Sequence, residues 1–278
     1  MSNTEEIIVI KDDGEREPFS SEKLRASILR SGASNEVTEK VVSHILPELH
    51  TDMKSSEIYS HAFSILKNIN RPAARNYSLR RAVMDLGPTG FPFEDFIARI
   101  LEAKGFKCLT RQILLGGCVP HEVDIVAYNK NKLIVIEAKF HNEIGNKSDL
   151  KVALYIKARF DDLKENVFNY DGKDRKITDS WLITNTKFST TAIHYGVCTN
   201  LTLIGWNYPE TGNLQDMIEE EALHPITCLT TLSMNEKRAL LKEGIVLCSD
   251  LKGDAGAISR ILGNSFEKEK VMSEINEL

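Results

Sequence analysis

Residues 121–140, HEVDIVAYNKNKLIVIEAKF, constrain the fold more than any other stretch. Two apolar runs flank the polar tetrad Asn129-Lys130-Asn131-Lys132, the pattern of a β-hairpin with a four-residue loop. With that turn, Tyr128 faces Leu133, Val126 faces Val135 and Asp124 faces Glu137. Strand side chains alternate faces, so Lys139, two residues past Glu137, shares their face. Two acids then oppose each other inside apolar strands rather than at exposed tips. Like charges directly across a hairpin destabilise it, and a buried carboxylate without a partner is costly. A divalent cation removes that cost. Mg²⁺ takes hard oxygens and keeps several waters, and a lysine beside it orients water or steadies a phosphorane-like transition state. Asp124, Glu137 and Lys139 are thus a candidate phosphodiesterase site, with Asp124 and Glu137 as ligands for Mg²⁺ or Mn²⁺. The same spacing also arises where strand-end acids are merely solvated.

Three regions separate around this hairpin. Residues 1–88 open with a strand, EEIIVIK, and a polar turn, followed by helical stretches near 20–33, 35–50, 55–69 and 71–86. Ser20 or Ser21 is the expected N-cap of the first helix and Ser55 of the third. Gly87-Pro88-Thr89-Gly90 then breaks the helix and reads as a linker. Residues 89–212 alternate helices with apolar strands: FEDFIARILEAKG, KCLTRQILL, the hairpin, a long helix near 148–166, DSWLITNT, a helix near 188–198 and NLTLIGW. That alternation predicts a mixed sheet covered on both faces. Residues 213–278 read as all-helical. The expected fold class is multidomain α+β and α/β: a small β-hairpin with helices, a central mixed sheet flanked by helices, and an all-α tail.

The central region resembles the PD-(D/E)xK nucleases, in particular the Mrr-like restriction endonucleases, over roughly residues 90–210. The matching residues are Glu94 in GFPFEDFIARILEAKGF, Asp124 in HEVDIVA and Glu137-Ala138-Lys139 in IEAK, with WLITNTKFSTTAI and LTLIGW as the rear strands and helix. His121-Glu122-Val123 stands before Asp124 where that family carries its Pro-Asp step. The resemblance implies Asp124 and Glu137 as metal ligands, Lys139 as the catalytic lysine, Glu94 as a supporting acid and DNA as the substrate. His141 follows Lys139 at the same strand face, where it either contacts phosphate or a metal-bound water or is a strand-end surface histidine. Tyr155 and Arg159 lie one helical turn apart and share a face. That face meets DNA phosphate, completes the site, or leaves Arg159 paired with Asp162 or a neighbouring acid.

In residues 5–86 a strand carrying Lys11, a turn at Gly14 and Lys23 in a following helix can present cations to polyphosphate. The order VIKxDG, FSSEKL, KSSEI, RNYSLRRA resembles the ATP-cone, a nucleotide-sensing domain. This resemblance implies ATP or dATP as effector, with Val9 and Lys11 near base and phosphates, Lys23 at phosphate and Ser55 as a hydroxyl contact. Asp12 stands where the family often has a basic residue. Arg75, Tyr77 and Arg80 are helpers or packing residues. Neither GGCVPHE nor LGPTG is a phosphate-binding Walker loop, so the nucleotide is expected as effector and not as hydrolysed substrate.

The tail segment LTTLSMNEKRALLKEGIVLCSDLKG has the form of a helix-hairpin-helix, which either faces DNA or serves packing or dimerisation. Residues 213–278 hold seven basic and twelve acidic side chains, so the chain's whole net charge of −5 resides there. Phosphate contacts drive nucleic-acid affinity, so DNA binding has to come from a local patch. No apolar run reaches the ~20 residues of a membrane span, and MSNTEE is not a signal peptide. The five cysteines lack zinc spacing, which suits a reducing cytoplasm. The sequence therefore predicts a cytoplasmic, nucleotide-regulated, metal-dependent DNA endonuclease of restriction or defence type. It is expected to be a homo-oligomer, a dimer or larger, because cutting both strands takes two active sites. The competing reading is a nucleotide-responsive DNA-binding regulator or scaffold whose nuclease-like domain is inert.

Overall fold

The computed structural model describes residues 7–11, 14–143, 145–253, 256, 260 and 265–276; Asp12 lies outside them. Strands β1 (Ile8–Ile10) and β2 (Arg16–Pro18) form an antiparallel hairpin. Five helices follow: α1 (Ser21–Arg30), α2 (Asn35–Ile45), α3 (Ser55–Ile69), α4 (Arg71–Tyr77) and α5 (Leu79–Met84). Ser20 caps α1 by accepting a bond from the Lys23 amide, and Ser34 does the same for α2 with Val37. Ser55 is not a cap. Lys54 occupies that position without a side-chain bond, and Ser55 is the first helical residue. The single helix expected near 71–86 is two helices, because the chain turns at Ser78. Helix α2 stops at Ile45, short of the expected residue 50. Pro47 has no N–H to continue it, and a 3-10 turn, Leu46–Glu48, takes over. Val9, Leu24, Ile28, Val42, Ile58 and Leu66 form the core of this region.

The central region opens with α6 (Phe91–Ala103), whose Phe93, Phe96, Ile97 and Ile100 are fully buried. Strands β3 (Lys107–Leu115), β4 (Pro120–Tyr128), β5 (Leu133–Lys139), β9 (Asp179–Thr184) and β11 (Thr202–Ile204) form one sheet in the order β11-β9-β5-β4-β3. The β3, β4 and β5 pairs are antiparallel, whereas β5, β9 and β11 run parallel. The parallel connections pass through α7 (Leu150–Leu163) and α8 (Thr190–Thr199). Two short parallel strands, β6 (Lys147–Ser148) and β10 (Lys187–Phe188), pair beside them, and β7 (Val167–Tyr170) with β8 (Lys173–Lys176) forms a separate hairpin. Ile125, Ala127, Ile134 and Ile136 pack toward α6. Val126, Tyr128, Leu133 and Val135 pack toward α7 and α8. Both faces of the sheet are therefore covered, as its near-continuous apolar strands require.

Helices α9 (Leu214–Glu220), α10 (Met234–Lys242), α11 (Cys248–Gly253) and α12 (Ser265–Asn276) complete the chain. The α6 face of the sheet, Leu79 and Val83 of α5 with Leu86 just after it, and the tail residues Leu240, Val246, Leu251 and Ile275 belong to one buried cluster. Gly87, in the expected linker, is pressed against Phe140 and Asn142, where a Cβ would lie 2.7 Å from each. The connection is thus a packed crossing. Gly244, with φ +79°, ends α10, and the Val246 and Leu247 amides both donate to the Asp250 carboxylate. The segment expected as a helix-hairpin-helix thus binds its own turn amides and packs its apolar side inward. No described helix is long and apolar enough to cross a membrane. The architecture is the mixed class expected: a small hairpin with helices, a central mixed sheet and a helical tail.

Candidate active site

The Asn129–Lys132 turn closes the hairpin as the sequence suggests. Asn129 N–H donates to the Lys132 carbonyl at 3.0 Å, and its side-chain oxygen accepts from the Asn131 and Lys132 amides. The ladder pairs Tyr128 with Leu133, Val126 with Val135 and Ile125 with Ile136; Asp124 and Glu137 come next in that register. There the strands part from a regular ladder. Cys108 and its partner Ala127 pack toward α6, whereas Leu114 and Val123 pack toward α7. Side chains of equal parity thus change face between them, and Arg111, with φ +55°, stands at the step opposite Asp124. The Asp124 Oδ2 accepts the Ala138 amide at 2.8 Å, in place of a backbone acceptor.

Glu137 and Glu94 meet different cations. Arg159 Nη1 donates to Glu137 Oε2 at 2.6 Å and to the Glu122 carbonyl at 2.9 Å. Its Nη2 bonds the Tyr155 hydroxyl at 2.9 Å, and the guanidinium stacks over that ring. Of the outcomes left open for Arg159, the neighbouring acid is the one found. Asp162 instead accepts from His121 at 2.7 Å and from the Cys118 and Val119 amides. Glu94, on the first turn of α6, is buried and lies 3.3 Å from Arg111, which also pairs with Asp95 at 2.9 Å. Arg111 carries no weight in the sequence reading. Its only signal there is a charge in the middle of the strand KCLTRQILL.

The charges remain frustrated. Burial, and next the Asp124 charge, push the Glu94 carboxyl up to about 7 against the opposing pull of Arg111. Burial raises both Asp124 and Glu137, and Asp124 adds its repulsion to Glu137. Lys139 sits on an exposed strand end paired with Thr184 of β9. Its charge reaches both acids and favours their ionised forms. His141 is not a free surface histidine: its Nε2 is 3.0 Å from Ser148 Oγ, and Asn185 brackets its backbone by accepting from N–H and donating to C=O, both at 2.8 Å. Burial and then Lys139 lower its pKa, so its ring is held neutral. Buried Asn185 is a second residue that the sequence leaves unmarked.

The donor set suits a hard cation. Asp124 uses one oxygen on Ala138, Glu137 uses one on Arg159, and each carboxylate keeps another. Mg²⁺ is bound by one or two carboxylates plus waters. The raised pKa values come first from burial, and for Glu137 next from the Asp124 charge. Among the described residues, Glu94 does not join Asp124 and Glu137 as a three-donor group within 4.8 Å, so its place is beside the pair.

At the other end of the chain, Lys11 and Lys23 both reach Glu17, at 2.8 and 3.3 Å, and hold its carboxyl below the usual range. Val9 is buried beneath them. Lys54 bridges Ile10, which puts Ser55 one residue from the hairpin. Ser55 also lines a cleft of about 620 Å³ with Tyr59, Arg80, Arg81, Thr227 and Lys237, between the N-terminal helices and the tail.

Residues 7–85 match the family model of the ATP cone domain, and residues 224–278 match the model described as AF1548-like, C-terminal. An uncharacterized protein of Archaeoglobus fulgidus is 36% identical over 174 residues, 63% of this chain and 94% of that protein. The chain belongs to the AF1548-like family. Its N-terminal region is an ATP cone domain. The crystal structure of AF1548, a protein of unknown function, is 34% identical with a TM-score of 0.54, covering 68% of this chain and 96% of that one. A structure of Can2 from Sulfobacillus thermosulfidooxidans in complex with cyclic tetra-adenylate is 12% identical over 78% of this chain and 68% of that one. Its TM-score is 0.32.

Proposed function

We propose that this AF1548-like protein is a divalent-metal-dependent DNA endonuclease of the PD-(D/E)xK type whose activity is set by ATP or dATP at the ATP cone. The observation that carries the reading is the Asp124–Glu137 pair: two half-buried carboxylates at the parting of β4 and β5, both raised in pKa, with Lys139 two residues on. A bound Mg²⁺ or Mn²⁺ would supply Lewis-acid polarisation of the phosphate and a more acidic water. Asp124 and Glu137 hold the ion. Ala138 orients Asp124 through its amide. Lys139 places positive charge where the phosphate gains negative charge. Glu94, with a pKa near 7, is suited to exchange a proton with site water at neutral pH. His141, kept neutral and tied to Ser148, positions the end of β5 rather than supplying charge.

In this reading residues 1–88 sense nucleotide, 89–212 cut and 213–278 join the two. Lys11 and Lys23 are the phosphate cations, Val9 borders the base and Ser55 supplies a hydroxyl. The cleft beside Ser55 carries tail residues Thr227 and Lys237, so a change at the cone reaches the tail directly. Two-strand cleavage calls for two copies of the chain. One observation favours an inert nuclease-like domain instead: Arg159 already occupies one oxygen of Glu137 at 2.6 Å. Nicking of supercoiled plasmid, modified and unmodified, in Mg²⁺ or Mn²⁺ across an ATP and dATP titration decides. EDTA-sensitive nicking whose rate follows nucleotide supports the endonuclease; no cleavage under any condition, with DNA binding retained, supports the regulator.

A further inference from the structure

We propose that His44, Glu48 and His61 form a second metal site, on the ATP cone, that takes a transition-metal dication such as Zn²⁺, Co²⁺ or Ni²⁺. Their ligand atoms all lie within 4.8 Å of one another. The Glu48 carboxylate divides between the rings: Oε1 is 3.8 Å from His44 Nδ1, and Oε2 is 3.2 Å from His61 Nδ1. The ring centroids are 5.6 Å apart at an interplanar angle of 72°, so the imidazoles approach edge to face and do not stack.

The backbone explains the convergence. His44 lies in the last turn of α2, and Glu48 closes the 3-10 turn that Pro47 imposes on the following residues. His61 projects from the middle of α3, whose Ile58 and Ala62 pack with Val41, Val42 and Ile45 of α2 in one core. The donors are thus mounted on two helices held by apolar packing. A His₂Glu set is a recognised zinc ligand combination that leaves a fourth position to water. Zn–N and Zn–O bonds of about 2.0–2.2 Å put tetrahedral donors roughly 3.3–3.5 Å apart. The two His–Glu spacings, 3.8 and 3.2 Å to the two carboxylate oxygens, bracket that range. All the donors lie within 4.8 Å of one another, so small side-chain shifts would bring them to bonding distance. Zinc, cobalt and nickel suit imidazole, whereas magnesium suits oxygen and water. This site therefore differs in metal preference from Asp124 and Glu137 and shares no residue with them.

The test is a Co²⁺ titration of the full chain carrying Asp124→Ala, which disables the carboxylate site, followed by visible absorption and calorimetry. One Co²⁺ per chain is expected to bind with a visible ligand-field band that excess Mg²⁺ does not remove. Adding His44→Ala or His61→Ala lowers the affinity at least tenfold and abolishes the band, and Co²⁺ no longer raises the melting temperature. His44 is largely exposed, so its variant folds even if the His61 variant does not. Equal Co²⁺ affinity and an unchanged spectrum in His44→Ala and Glu48→Gln would overturn the proposal. So would binding in the parent chain that Mg²⁺ fully displaces. Neither result bears on plasmid cleavage, so this site and the nuclease site fail separately.

Discussion

At the scale of single residues, the site is a contest between burial and charge. Glu94 titrates near 7 in the folded chain, against 4.5 for an ordinary glutamate. Between those values the folded protein binds more protons than the unfolded one, so stability falls as pH rises through that window and is level below it. The metal-free protein is expected to melt at a lower temperature at pH 7.5 than at pH 5. Glu94→Gln should flatten that slope, and a Mn²⁺ titration should restore stability mainly on the alkaline side. An unchanged slope in Glu94→Gln would place the titration elsewhere. Lys139 acts on a different quantity. Its exposed ammonium touches no metal bond, so Lys139→Ala should retain metal affinity by calorimetry while losing on the order of 10²–10³ in cleavage rate. A matching collapse in affinity would mean that the lysine holds the acids together instead.

At the scale of elements, close packing fixes the crossing between α5 and α6. A Cβ on Gly87 would stand 2.7 Å from both Phe140 and Asn142. Gly87→Ala should therefore destabilise the chain by about 1–3 kcal/mol, read by urea unfolding, whereas Gly90→Ala nearby meets nothing closer than 3.5 Å and should cost less. Much of the element pattern was legible in the sequence. Two apolar runs around a polar tetrad gave the 121–139 hairpin, and the length of the tetrad gave its register. Other features were less visible. The β7–β8 hairpin turns on Asp171-Gly172, both at positive φ, a hairpin signal inside a stretch too polar to stand out. The break at Ser78 is local, since 71–86 has no proline or glycine at that point. The partner of Arg159 depends on how α7 docks on the sheet, which no local pattern encodes. The same holds for Arg111, whose meeting with Glu94 brings together β3 and α6.

At the scale of the whole molecule, the three regions share structure. Leu79, Val83 and Leu86, on and just after the last cone helix, are buried with α6 and the tail, so a fragment ending at residue 88 would expose them. Nucleotide binding is therefore best read on the intact chain. A ligand that binds only the folded state stabilises it by about 2.7 kcal/mol at a hundredfold excess over its dissociation constant. ATP or dATP should raise the melting temperature of the full chain. The Lys11→Ala, Lys23→Ala double variant should lose that shift, and salt should weaken it. A shift that survives both substitutions would put the nucleotide somewhere other than at Glu17 and its two lysines.

Cleavage of supercoiled plasmid by the full chain in Mn²⁺ tests the roles of Asp124 and Glu137 most directly. Asp124→Ala and Glu137→Ala should each abolish nicking while the chain stays folded in EDTA. Each relieves a repulsion but strands a partner, the Ala138 amide or the Arg159 guanidinium, so a lowered melting temperature is expected, more so for Glu137→Ala. Undiminished, EDTA-sensitive nicking by either variant would contradict the assignment.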